Sequence, residues 1–193
     1  MWITLTKNGC RAAFNNIVEE YQQPIYNFCY RMLSNRAEAE DAAQEVFIRA
    51  YLKLNMYDNR HKFSTWLFSI ASHYCIDCLR KRRFQLVSWD GLAPGDACPD
   101  QNAPQPESAL LDAEAAGNVQ ALLDALPPDY RTIVILKYWH TLSYQEMAQT
   151  LGTTDSAIKS KLFRARRMIA TQIATAQAAT PRREAQSLQA GWI

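Results

Sequence analysis

SYQEMAQTLGTTDSAIKSKLFRARRMI, residues Ser143–Ile169, decides the reading of this chain. Ser143 and Glu146 have capping-box spacing, so a helix starts there with its first free amides satisfied. Met147, Ala148 and Leu151 give that helix an apolar side. Gly152 supplies the left-handed backbone that stops a helix sharply. Thr153 is placed to cap a second helix, whose apolar stripe is Ile158, Leu162, Ala165 and Ile169. Two short helices crossing at a tight turn describe a helix-turn-helix.

The outer side of the second helix follows from about 100° per residue. With Ile158, Leu162 and Ala165 inward, Ser160, Phe163, Arg164 and Arg167 point outward, flanked by Lys159 and Lys161. A phenylalanine among cations is unusual on a merely solvated face. It suits a helix in the major groove, where cations meet phosphates or guanine edges and an apolar ring meets a thymine methyl. The segment reads as a DNA-binding element.

The chain has 193 residues, enough for one domain or two small ones, and its 48% apolar share suffices for packed cores. Net charge is only +2, so the distribution of charge matters more than the total. Basic residues cluster at Arg80–Arg83 and again from Lys159 to Arg167; acidic ones collect at Glu38, Glu40, Asp41 and Glu45. No secretory leader and no run of about 20 apolar residues is evident, and five scattered cysteines fit reduced thiols. The expected setting is the cytoplasm.

Helical periodicity dominates the rest. A first helical block covers Arg11–Met32, with Pro24 expected to kink or interrupt it. Asn35 and Glu38 open a second helix with the stripe Ala39, Ala42, Ala43, Val46, Phe47, Ala50, Tyr51 and Leu54. A polar loop, Asp58–Lys62, leads to a third helix capped by Ser64, with Phe63 expected to staple onto Phe68 and Leu67, Ile70, Ala71, Tyr74 and Cys78 facing inward. From Phe84 to Ser108 prolines and glycines rule out a continuous helix, and every charge is acidic. Helical pattern resumes at Ala109, breaks at Pro127-Pro128, continues over Asp129–Tyr138, and frays after about Thr171. The expected fold is all-α: two small helical domains joined by a flexible linker, with residues 1–83 in the first, 84–108 in the linker, 109–175 in the second and 176–193 in a tail.

The segment LPPDYRTIVILKYWHTLSYQEMAQTLGTTDSAIKSKLFRARRMI closely resembles region four of bacterial sigma factors. The stretch from FNNIVEEYQQPIYNFCYRML through DAAQEVFIRAY to FSTWLFSIASHYCIDCLRKRR resembles their region two, a three-helix-type bundle. With only these two regions and a short connector, the chain resembles the extracytoplasmic-function (ECF) subfamily. The resemblance implies a transcription-initiation factor, not an enzyme, that brings core RNA polymerase to promoters.

It also implies residue roles. Asp41, Gln44, Glu45 and Arg49 match the surface that docks on the clamp coiled coil of the polymerase largest subunit; the polymerase flap is a further expected partner. Asn59, Arg60, His61, Lys62 and Phe63 match the loop, and Trp66, Ser69, Ser72, His73, Ile76, Asp77 and Arg80 the helix, that hold the melted minus-ten strand. His73 stands where the family often carries asparagine. Lys159, Ser160, Lys161, Phe163 and Arg164 match the minus-thirty-five contacts, with Arg131 reaching the DNA backbone. Arg164 is the candidate for guanine and Lys159 for phosphate. Restraint by an anti-sigma factor is common in the family.

Other readings weigh less. Cys75-Ile-Asp-Cys78 is a CxxC, but no second pair accompanies it, so no metal or cofactor is expected and both thiols read as small apolar residues. No phosphate-cradling glycine loop, HExxH or nucleophile elbow appears. The closest competitor is a stand-alone helix-turn-helix regulator, against which the basic, aromatic-bearing third helix argues.

Overall fold

A computed structural model describes residues 2–88 and 117–179. The described residues form helices and turns without strands. In chain order these are α1 (Trp2–Lys7), α2 (Arg11–Leu33), α3 (Arg36–Lys53), a 3-10 turn (Leu54–Met56), α4 (Phe63–Ser88), α5 (117–124), α6 (Pro128–Tyr138), α7 (Tyr144–Leu151) and α8 (Asp155–Ala179). Residues 89–116, which hold most of the expected 84–108 linker, Cys98 and the expected helix start at Ala109, and the tail from 180 lie outside the described residues.

In the first half, α2, α3 and α4 pack around Ile17, Ile25, Phe28, Val46, Leu67 and Ala71, with the small α3 residues Ala39, Ala42, Ala43 and Ala50 allowing close approach. Asn35 caps α3 by accepting from the Glu38 amide. Helix α2 runs through Pro24 rather than stopping there. Proline removes the donor for the carbonyl four residues back, that of Glu20, which is an exposed residue.

Helix α4 departs from expectation at both ends. It begins at Phe63, so Ser64 sits within the first turn, and it continues to Ser88, past the boundary expected at Arg83. The expected Phe63–Phe68 staple does not form. Phe63 instead joins Tyr21, Tyr57 and Trp66 in an aromatic cluster with centroid separations of 5.4–5.5 Å, while Phe68 packs edge-on to Phe28 at 5.6 Å. The tertiary cluster outweighs the local contact.

In the second half, the box at Ser143 forms in both directions: Ser143 accepts from the Glu146 amide and Glu146 accepts from the Ser143 amide. Gly152 has φ +61° at the end of α7, the conformation the turn requires. The cap of α8 is Thr154, not Thr153, since its hydroxyl accepts from the Ala157 amide. Ile158, Leu162 and Ala165 are buried as expected. The helix extends to Ala179, beyond the fraying expected near Thr171.

The two halves also pack on each other, α7 and α6 against α4 and α2. Arg131 of α6 is buried and donates to the Met32 carbonyl of α2 at 2.6 Å and to the Asp124 carbonyl at 2.7 Å. His140 packs its ring against both Phe68 (4.4 Å) and Phe28 (5.9 Å), and Arg31 lies over Trp139 at 4.3 Å.

Two outcomes follow. Ser143→Ala should lower stability by about 1 kcal/mol, measured by urea unfolding, because α7 loses its box. Burial, with Arg31 nearby, lowers the His140 pKa from its ordinary 6.5 to about 4. The unfolded chain therefore binds a proton at this residue below pH 6.5 that the folded chain refuses until about pH 4. Its contribution is full above pH 6.5 and is lost as pH falls toward 4. Thermal unfolding over that range should show a decline in midpoint that His140→Gln flattens.

Candidate nucleic-acid interface

The outer face of α8 matches the helical projection. Phe163 is 61% exposed, and Ser160, Arg164, Arg167 and Lys159 are exposed beside it. The ring is left in water among cations, which sets this face apart from the buried stripe of Ile158, Leu162 and Ala165. The Lys159 ammonium lies 5.6 Å from the Tyr144 ring centroid, and Lys137 meets the same ring at 4.9 Å. Tyr144 thus holds two cations at one edge of the face. Lys161 does not share it: it is half-buried and lines a cleft of about 200 Å³ with His73, Ile76, Asp77 and Arg80 of α4. Arg131 is 7% exposed and engaged at the seam between the halves, away from this face.

The loop before α4 is held by its own charges. Arg60 pairs with Asp58 at 2.6 Å, and its amide also donates to that carboxylate at 3.0 Å. These hydrogen bonds hold the Asp58 carboxyl down at about 2. Asn59, Arg60 and His61 are exposed. Lys62 reaches across to Glu146 at the start of α7, 2.7 Å away. Phe63 is buried in the aromatic cluster, whereas Trp66 is half-buried and borders a cavity of about 260 Å³ with Tyr57, Asp58, His61, Ser69 and, from α7, Gln149. Aromatic walls beside an exposed cationic loop can stack and hold an unpaired base.

Farther along α4, His73 and Arg80 are exposed, Arg80 pairing with Asp77 at 3.8 Å. His73 Nδ1 contacts the Ser69 carbonyl at 2.6 Å. Ser69 and Ile76 are half-buried. Ser72 is fully buried, and its hydroxyl has no partner.

On α3, Asp41 and Gln44 are exposed and Glu45 pairs with Arg49 at 2.7 Å, the guanidinium stacking over Tyr74 at 4.7 Å. Ile48 and Leu52, 55% and 74% exposed, lie on the same face and were not among the expected docking residues. Their signal was in the sequence: apolar residues at i+3 and i+7 from Glu45, outside the inward stripe. A second apolar surface is a groove of about 350 Å³ between α5, α6 and α8, lined by Val119, Leu123, Val134, Tyr138, Trp139, Ile169 and Ile173.

Cys75 faces Cys29 of α2. A hydrogen bond to Cys29, together with burial, pushes its thiol well above the ordinary range, so it stays protonated. That is the reverse of what a metal-binding thiolate requires. No helix among the described residues is long and apolar enough to cross a membrane.

Sigma-70 region 2 matches residues 17–85, and Sigma-70, region 4 matches residues 116–169. The ECF RNA polymerase sigma factor SigW of Bacillus subtilis is 36% identical over 177 residues, covering 89% of this chain and 94% of SigW. Among solved structures, CnrH in complex with the cytosolic domain of CnrY superposes with a TM-score of 0.67 at 19% identity, over 90% of this chain and 96% of CnrH. The sigma factor RpoE in complex with the anti-sigma factor NepR from Bartonella quintana gives 0.63 at 22%, over 83% and 96%. These two share the fold. The match to both regions in order, and to a full-length relative at this identity, shows that the chain belongs to the ECF RNA polymerase sigma factors of the sigma-70 family.

Proposed function

We propose that this sigma factor binds core RNA polymerase through α3, reads the minus-thirty-five element as duplex with α8, and holds the melted minus-ten strand on α4 and the loop before it. It acts in the cytoplasm as an initiation factor and catalyses no reaction itself. The observation that carries this reading is the pairing, on one chain, of an exposed recognition helix bearing Phe163 and Arg164 with a cationic loop beside an aromatic-walled cavity. A duplex reader alone has no use for the second.

Each surface has a role in this reading. Asp41, Gln44 and the Glu45–Arg49 pair, with Ile48 and Leu52 as the apolar centre, dock on the polymerase clamp. A desolvated apolar patch within a polar rim is the usual anatomy of such contacts. The apolar groove between α5, α6 and α8 takes the polymerase flap. Arg60, Lys62 and Arg80 neutralise strand phosphates, and Trp66 supplies a stacking face. Arg164 offers two donors to a guanine edge, Phe163 meets a methyl group, and Lys159 a phosphate. An anti-sigma factor, as in the complex of the related RpoE, is the expected inhibitor.

Added to core polymerase in reconstituted transcription, the protein should produce a specific transcript that neither component gives alone. Tight promoter binding that needs no polymerase would instead support a stand-alone regulator. Arg164→Ala should cost about 1–3 kcal/mol at one base pair and relax preference there. Lys159→Ala should weaken binding evenly across sequences and reduce the salt slope by about 1, read from holoenzyme–promoter titrations at several salt concentrations.

A further inference from the structure

We propose that Lys7, on the short helix α1, is a positioning residue for strand capture: it fixes Tyr57, a wall of the cavity before α4, and so sets how strictly that cavity chooses its base. This rests on the strand-capture reading above, in which Lys7 has no part.

The turn after α1 brings Lys7 to its place. Gly9, at φ +91°, sends the chain on into α2, its amide donating to the Thr6 carbonyl at 2.9 Å and that of Cys10 to the Leu5 carbonyl at 3.0 Å. Thr6 is buried, and α1 packs on both α2 and the 3-10 turn Leu54–Met56. Lys7, in the last turn of α1, therefore stands beside Tyr57, 50 positions later.

Tyr57 is held at both ends. The Lys7 ammonium donates to its carbonyl at 2.8 Å and lies 5.5 Å from its ring centroid. That carbonyl sits just past the end of the 3-10 turn, where a helical partner is lacking. At the other end the tyrosine hydroxyl donates to the His61 carbonyl, which closes the loop across the ring. Arg60 folds back on Asp58 within the same loop. Among the described residues, Lys7 is the one side chain from outside the loop and its flanking turn that hydrogen-bonds to Tyr57–His61.

Tyr57 in turn shapes the cavity. Its ring lies 5.3 Å from that of Trp66, the proposed stacking face, and both line the space of about 260 Å³. A site that reads an unpaired base by its shape and edges needs its walls held to about 0.5 Å. Without Lys7, Tyr57 keeps its aromatic neighbours but loses the fixed backbone from which its ring hangs. The cavity then still stacks a base and discriminates it less well. Lys7 acts through Tyr57 rather than on DNA: it is half-buried with its charge engaged, whereas Arg60 is exposed.

Base selectivity separates this role from stability. Holoenzyme is titrated with fork-junction promoters in which each non-template minus-ten position carries each of the four bases in turn. Lys7→Met keeps the apolar stem and removes the donor. It should lower the ratio of preferred to disfavoured base at one position by roughly tenfold, the worth of one charge-assisted hydrogen bond. Ratios at the other positions and protection of the upstream duplex should hold. Lys7→Arg should restore most of the lost ratio, and Tyr57→Phe, which unties the other end of the ring, should reduce selectivity at the same position. Thermal unfolding of the free protein checks that each variant is folded; Lys7→Gln, too short to bring a donor to the carbonyl, is a second variant with the same expectation as Lys7→Met. Unchanged ratios in the folded variants would overturn the proposal. So would a loss spread evenly over all positions with a smaller salt slope, the mark of a direct phosphate contact. Absence of base preference at every minus-ten position in wild type would instead overturn the strand-capture reading.

Discussion

Helix α4 is buried from two sides, and the rest of the structure depends on that constraint. Leu67, Ala71 and Cys75 close the core of the first half. Thr65 and Phe68 lie against the second half, where Thr150 and His140 meet them. A helix apolar on one side only would leave the opposite face to water. Here that face carries serines, threonine and isoleucine, small enough for α7 to pack against. One helix thus serves as core element and internal interface, and in the proposed function as a binding surface as well.

Much of this was legible in the sequence where a local rule decides geometry. The Ser143–Glu146 box, the Gly152 turn and the Ile158–Leu162–Ala165 stripe all rest on contacts within a few residues, and all three form. The outward set on α8 follows from helical phase, except that Lys161 falls about 160° from Phe163 and turns toward α4. Where the outcome depended on distant partners, local rules failed. Phe63 left its expected staple for a cluster drawing on Tyr21 and Tyr57, which lie on other elements.

The seam between the halves had no comparable signal. The family resemblance places Arg131 near the DNA backbone, and a guanidinium is seldom buried. Its burial depends on the Met32 carbonyl of α2, freed at a helix end almost a hundred positions earlier. His140 likewise has no periodic partner; its place is defined only once Phe28 and Phe68 are brought together. Such contacts come from packing two domains whose individual patterns are complete without each other.

The central claim is that one chain carries two promoter-reading surfaces, the outer face of α8 for duplex and the loop and outer face of α4 for melted strand. It is tested most directly by mapping promoter protection and strand opening in the holoenzyme for wild type, Phe163→Ala and Trp66→Ala. The account predicts that Phe163→Ala weakens protection of the upstream duplex element, whereas Trp66→Ala weakens opening of the downstream element with upstream protection kept. Strand opening and upstream protection unchanged in both variants would contradict it.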